Sequence, residues 1–228
     1  MEFETLFSKY DRLVLFDTET TGLQFHRDEI IEFAAVVVEQ KGGRAEIVRE
    51  YDELISLSPG MFVPPQIEAL TGITNEDIRQ KGISKTQVCE DIKDMIQGNT
   101  LLLAYNAHFD LSFLFYLLLR SGDPAILKGK DKLDLLTVYK DRHSYPHKLC
   151  NAIEVYGLSG QVVNSHRAVD DVIATVAVMK AMEQERNDLE RYVNLFGYNP
   201  KYGVDGKPIG TVTYKAQKYD PVAPLYEV

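Results

Sequence analysis

The sequence predicts an α/β domain in which helices cover a mixed β-sheet. Two observations carry that reading. Three strand-like runs come first, and from residue 101 onward short β-like and longer helical apolar patterns alternate. Turn and cap residues sit between these runs, where such elements begin and end.

Arg12–Asp17 is an apolar run of β-formers entered from a polar residue, and it reads as the first strand. Ile30–Glu39 and Ile47–Ser56 are the second and third, with a turn at Lys41-Gly42-Gly43 between them. The segment from Pro59 to Pro65 breaks the pattern, and Gln66–Leu70 reads as a short helix stopped by Thr71-Gly72. Helix starts follow at Asn75-Glu76-Asp77 and at Ser84, the second leading into Lys85–Gln97 before Gly98. Leu101–Tyr105 is a fourth strand, with a helix after it from about His108 to Arg120 and a stop at Gly122. Lys132–Tyr139 is expected to be the fifth strand, and helices are expected at Lys148–Tyr156 and Ala168–Glu190. From Gly197 onward Gly, Pro and Tyr become frequent, and Val204-Asp205-Gly206-Lys207 reads as a hairpin turn. Residues 1–190 are therefore taken as the main domain, and 191–228 as an extension of short strands or tail.

With 228 residues, 45% of them hydrophobic and 26% charged, the chain is long enough for one domain with a substantial core. MEFETLFSKYDR starts acidic and lacks an apolar core region, so no signal peptide is expected. The longest apolar region, Leu101 to Leu119, is interrupted by Asn106, His108 and Asp110, which a membrane span would not tolerate. Two cysteines, Cys89 and Cys150, make neither a disulfide framework nor a zinc site, and a cytoplasmic setting is expected. The net charge of −9 argues against a nucleic-acid partner at first sight. Yet Lys128 to Lys148 holds six Lys/Arg against three Asp, with His143 and His147, and offers either a phosphate-facing stretch or a solvated connection.

The chemistry lies in three acidic clusters. Asp17 and Glu19, two apart at the end of the first strand, point to one side. Unless a cation joins them, that pairing is costly at the edge of a core. Asp110 follows the fourth strand and the loop Asn106-Ala107-His108-Phe109, where a first-turn acid would also suit the helix dipole. His166-Arg167-Ala168-Val169-Asp170-Asp171 opens a helix that is apolar almost all round, and periodicity does not choose between Asp170 and Asp171. Ligand sites in open α/β sheets gather at strand ends of this kind. Carboxylate oxygens suit Mg²⁺ or Mn²⁺ rather than zinc. Two such ions about 3.5–4 Å apart can activate a water and stabilise the leaving oxygen of a phosphodiester. A neighbouring His is placed to take the proton.

These stretches resemble the DEDDh family of 3′→5′ exonucleases, the group that includes the proofreading epsilon subunit of bacterial DNA polymerase III. LVLFDTETTGL is similar to the family's first motif, LLLAYNAHFDLSFL to its second and HRAVDDVIAT to its third, over residues 12–182. PPQIEALTGIT and PHKLCNAIEVYG match further family segments. The resemblance implies an RNase H-like fold, with a five-stranded mixed sheet whose second strand is antiparallel. It implies Asp17, Glu19, Asp110 and Asp171 as ligands of two Mg²⁺ or Mn²⁺, and His166 as general base. Asp171 is preferred over Asp170 because the family's His stands five positions before its last acid. Arg167 stands where the sister subtype carries Tyr. Thr20, Gly22, Leu23, Asn106 and Phe109 would line the pocket for the 3′-terminal nucleotide. Tyr105 departs from the His that family members often carry before the Asn-Ala pair.

The expected partner is a nucleic acid with a free 3′ end, single-stranded DNA favoured, with a polymerase or sliding clamp as the protein partner. Tyr192-Val193-Asn194-Leu195-Phe196 resembles clamp-binding Leu-Phe peptides but lacks their leading Gln, and a helix end packed on the core is the preferred reading. A haloacid-dehalogenase-type phosphatase would use Asp17 as nucleophile. That reading places Glu19 where such enzymes carry Asp and gives the other two clusters no role. A binding module without catalysis is the other alternative.

Overall fold

Five strands form one sheet in a computed structural model of the chain, which describes residues 2–196 and 215–216. They are β1 (Arg12–Thr20), β2 (Ile30–Lys41), β3 (Arg44–Leu54), β4 (Thr100–Ala104) and β5 (Asp131–Asp134). Their order is β3-β2-β1-β4-β5, with β2 antiparallel to both neighbours and β1, β4 and β5 parallel. This is the mixed sheet expected, antiparallel second strand included.

The sequence explains the placement of each strand. Ile30 to Val38 of β2 are all buried, as a strand covered on both faces requires. On the outer strand β3, Arg44, Glu46, Glu50 and Asp52 are exposed, and charges there discourage further pairing along that edge.

Among the described residues, eight α-helices accompany the sheet: α1 (Glu4–Phe7), α2 (Pro65–Thr71), α3 (Asn75–Lys81), α4 (Lys85–Met95), α5 (Ala107–Ser121), α6 (Leu135–Arg142), α7 (Leu149–Val155) and α8 (Ala168–Glu185). Alternation along β1 divides its side chains between two cores. Leu13 and Leu15 join Val172, Val176 and Met179 of α8 and Val138 of α6. Val14 and Phe16 join Val88 and Ile92 of α4 and Leu111, Leu114 and Leu118 of α5. Each large apolar side chain buried in this way contributes about 1.5–3 kcal/mol. The sheet is therefore sandwiched, with α8 against one face and α5 against the other.

Several boundaries differ from expectation by a few residues, and three of them bear on the site and its supports. β1 continues to Thr20 instead of ending at Asp17, so Glu19 lies within the strand as well. The fifth strand ends at Asp134 instead of Tyr139. Asp134 caps α6, accepting from the Leu136 N–H at 3.2 Å and the Thr137 hydroxyl at 2.7 Å, and this side-chain cap overrides the β-like run that follows. α8 stops at Glu185, short of Glu190, because the Arg142 guanidinium donates to the carbonyls of Met182 (2.6 Å) and Arg186 (3.1 Å). A cation that satisfies the last carbonyls ends the helix there.

Beyond α8, a 3₁₀ turn over Leu189–Tyr192 buries Leu189 and Tyr192, and the Tyr192 hydroxyl donates to Asp141 at 2.6 Å. The start of the clamp-like peptide is thus packed on the core, as the preferred reading had it. Leu195–Phe196 (β6) pairs in parallel with Lys215–Ala216 (β7). The expected turn at Val204–Lys207 lies outside the described residues. Among the described residues, no helix is long and apolar enough to cross a membrane.

Candidate active site

β1 outruns β4. Their pairing ends at Leu15 opposite Leu103, while β1 stays paired with β2 as far as Thr20. The edge of β1 toward β4 is open from there, and Asp110 fills it. Its Oδ1 accepts from the Thr18 N–H at 3.0 Å and from the Thr18 hydroxyl at 2.8 Å. A second buried carboxylate sets the start of α5. Asp134 Oδ1 accepts from the N–H groups of Asn106 and Ala107, both at 3.0 Å. Asn106 adopts a left-handed conformation (φ 76°), which Asn tolerates better than most residues. The chain thereby turns directly from β4 into α5, and Asp110 falls in the helix's first turn.

The opposite layer supplies the rest. His166 stands just before α8, exposed and in a left-handed conformation (φ 58°). Such a conformation costs about 1–3 kcal/mol unless its surroundings hold it. Asn164 Nδ2 donates to Asp171 Oδ1 at 2.6 Å, and the Ser165 hydroxyl donates to Asp170 Oδ2. After the His, Arg167 Nε donates to Glu32 Oε1 at 2.8 Å, with Nη2 on the same oxygen, and the Ala168 N–H donates to Glu32 Oε2 at 2.7 Å. Asp171 is buried against the site, whereas Asp170 is half-buried and engaged by Ser165.

Glu19, His166 and Asp171 each bring a ligand-type atom within 4.8 Å of the other two. Burial, then the charges of Asp110, Asp171, Glu19 and Glu32, hold the Asp17 carboxyl well above the usual carboxylate range. Burial and the neighbouring charges of Asp171, Glu32 and Asp110 push Glu19 up to about 8. Burial pushes Asp110 up to about 7, although the Thr18 hydrogen bonds pull the other way. Asp171 is also raised by burial, opposed by its bond from Asn164 and by His166. The protein thus gathers buried (Asp110, Asp171) and half-buried (Asp17, Glu19) carboxylates that repel one another, a donor set that fits hard divalent cations. Asp17, Glu19, Asp110 and Asp171 are the residues that would hold them.

The residues expected to line a nucleotide pocket lie at or just past the end of β1 (Thr20, Gly22, Leu23) and at the head of α5 (Asn106, Phe109). Thr20 is buried and its hydroxyl donates to the Gly22 carbonyl at 2.6 Å. A Cβ on Gly22 would meet the Asp28 carboxylate, so any other residue there would have to push that side chain off its bond from the Gln24 N–H. Leu23 is 80% exposed. Asn106 is exposed at the head of α5, and the half-buried Phe109 ring lies 4.9 Å from Phe113. The Tyr105 hydroxyl donates to the His147 carbonyl at 2.8 Å, tethering the α6–α7 loop to the end of β4. Of the basic stretch, Lys132 is buried and Arg142 is spent on the end of α8, on Glu185 and on Asp188. It does not present a uniform cationic face.

Sequence reasoning did not single out Thr18, Glu32, Asp134 or Asn164. Only Glu32 carried a visible signal, as the lone charge inside the apolar run IIEFAAVVV.

The family model "Exonuclease" matches residues 14–179, and the chain belongs to that family. It is 31% identical to the DNA polymerase III subunit epsilon of Treponema pallidum over 189 residues, spanning 80% of this chain and 82% of that one. It is 28% identical to the PolC-type DNA polymerase III of Clostridium perfringens, covering 96% of this chain but 15% of that protein. With the 3′-5′ exonuclease DinG of Bacillus subtilis it shares 31% identity over 64% of this chain and 17% of that one. Among solved structures, E. coli exonuclease I in complex with a dA16 oligonucleotide shares the fold, with a TM-score of 0.69 and 23% identity over 80% of this chain and 42% of that one.

Proposed function

We propose that this protein is a 3′→5′ exonuclease of the DEDDh type, dependent on two divalent cations and releasing 5′-mononucleotides, with single-stranded DNA as the favoured substrate. The observation that carries the reading is the convergence of Asp17, Glu19, Asp110 and Asp171 from both faces of the sheet, with His166 beside Glu19 and Asp171. The 3′→5′ polarity rests on the similarity to the epsilon subunit and to DinG. Arg167, standing where the sister subtype carries Tyr, leaves His166 as the base.

Bound Mg²⁺ or Mn²⁺ would supply Lewis-acid activation of water and charge stabilisation at the leaving oxygen. The chain's own residues do the rest. The four carboxylates would hold the cations, whose charge would offset their mutual repulsion. His166 accepts the proton of the attacking water. Exposed Leu23 and the Phe109 ring offer apolar surface to the terminal base, and Thr20 with Gly22 shapes the turn beside it. A polymerase or sliding clamp is the partner that such a trimming activity would serve, in proofreading or repair. Incubating the chain with 5′-labelled single-stranded DNA, mismatched duplex and RNA, each with Mg²⁺ or Mn²⁺, tests the reading. A ladder shortening from the 3′ end with release of 5′-mononucleotides is expected; no metal-dependent hydrolysis of any substrate would overturn it.

A further inference from the structure

We infer that Glu32, acting through Arg167, is the positioning residue for His166; the inference rests on the function proposed above. Glu32 is fully buried and lies directly across from Glu19 in the β1–β2 register. A fifth carboxylate beside four others adds repulsion, and its neighbours in β2 are all apolar. Packing alone would favour another apolar side chain there, because a buried ion pair is a poor source of stability compared with a hydrophobic one. The pair supplies direction instead. Two guanidinium donors meet Glu32 Oε1 and one backbone N–H meets Oε2, fixing residues 167 and 168 to β2 at both oxygens.

What those contacts hold differs for the two site residues of this segment. Asp171 lies one turn into α8, and α8 is seated by Ala168, Val172, Ala174 and Val176 in the core. His166 precedes the helix, is exposed and has a left-handed backbone, so packing does not fix it. Its downstream anchor is Arg167 on Glu32, and its upstream anchor is Ser165 on Asp170. Loss of the Glu32 anchor would therefore blur the base while leaving the carboxylates in place.

A double-mutant cycle on the full chain tests this. Glu32→Gln should lower kcat on a labelled single-stranded oligodeoxynucleotide by about tenfold, as loss of an outer orienting partner does elsewhere. The KM for the oligonucleotide should stay unchanged, as should the Mn²⁺ dissociation constant in the charge-conserving Arg167→Lys. In a His166→Ala background, Glu32→Gln should produce no further loss. Arg167→Lys, which keeps the charge and loses the planar fork, should behave like Glu32→Gln and serves the same cycle if Glu32→Gln does not fold. An equal loss in the His166→Ala background, or weakened Mn²⁺ binding by Arg167→Lys, would overturn the inference while the proposed function stands. A wild-type chain without metal-dependent nucleotide release would overturn both.

Discussion

Thr18 donates twice to one oxygen of Asp110, from its N–H at 3.0 Å and its hydroxyl at 2.8 Å, joining β1 to α5 across the open end of the sheet. Thr18 faces away from Asp17 and Glu19 along the strand, yet it orients a carboxylate that belongs with theirs. Both bonds also pull Asp110 toward its ionised form. Replacing Thr18 by Val keeps the shape and removes the hydroxyl. We expect about 1 kcal/mol lost in urea denaturation and a roughly tenfold higher half-saturating Mn²⁺ concentration. Unchanged metal dependence would show that the backbone N–H alone suffices.

The raised carboxylates make the metal-free protein sensitive to alkali. Glu19 moves from 4.5 to about 8 and Asp110 from 3.8 to about 7, so the folded chain holds these protons more tightly than the unfolded chain does. Their contribution is therefore fully present below the ordinary carboxylate range and is lost as pH rises to about 8. In EDTA, the melting temperature of the wild type should fall across that window relative to Glu19→Gln. Mn²⁺ at one hundred times its dissociation constant should restore about 2.7 kcal/mol at neutral pH. Parallel pH profiles for the two proteins would remove the coupling.

His166→Ala should cost about 10²–10⁴-fold in turnover, the range of a lost general base. Calorimetric titration with Mn²⁺ should give the wild-type affinity, because the carboxylates carry the binding. Full activity in that variant would sink the role assigned to the imidazole.

Asp134 holds two helix starts with one carboxylate. It accepts from the N–H groups of Asn106 and Ala107 at the head of α5, and from Leu136 and Thr137 in α6. Asp134→Ala leaves buried donors without partners and should cost about 2–4 kcal/mol in chemical denaturation. Asp134→Asn, which still accepts hydrogen bonds, should cost less. Equal losses would mean that the charge, and not the hydrogen bonds, is what matters.

The sheet, its mixed topology and the three acidic clusters were legible because each depends on local signals. Strand alternation, turn glycines and acids at element ends can be read within a few residues. Boundaries set by distant partners were not. Arg142 ends α8 from 40 positions away, and Asp134 converts Leu135–Tyr139 from apparent strand to helix through its side chain. The residues orienting the site were hidden for the same reason. Thr18 lies 92 positions from Asp110, and Glu32 lies 135 from Arg167. Periodicity left Asp170 and Asp171 equivalent; their burial and partners distinguish them.

The crowding of carboxylates at the end of β1 has an evolutionary consequence. Each acid there weakens the empty protein, so replacing Asp17 or Glu19 by its amide should raise the melting temperature as it removes the chemistry. Random variants ranked by thermal resistance in chelator would drift toward an inert scaffold, whereas the same library ranked in Mn²⁺ would keep its acids.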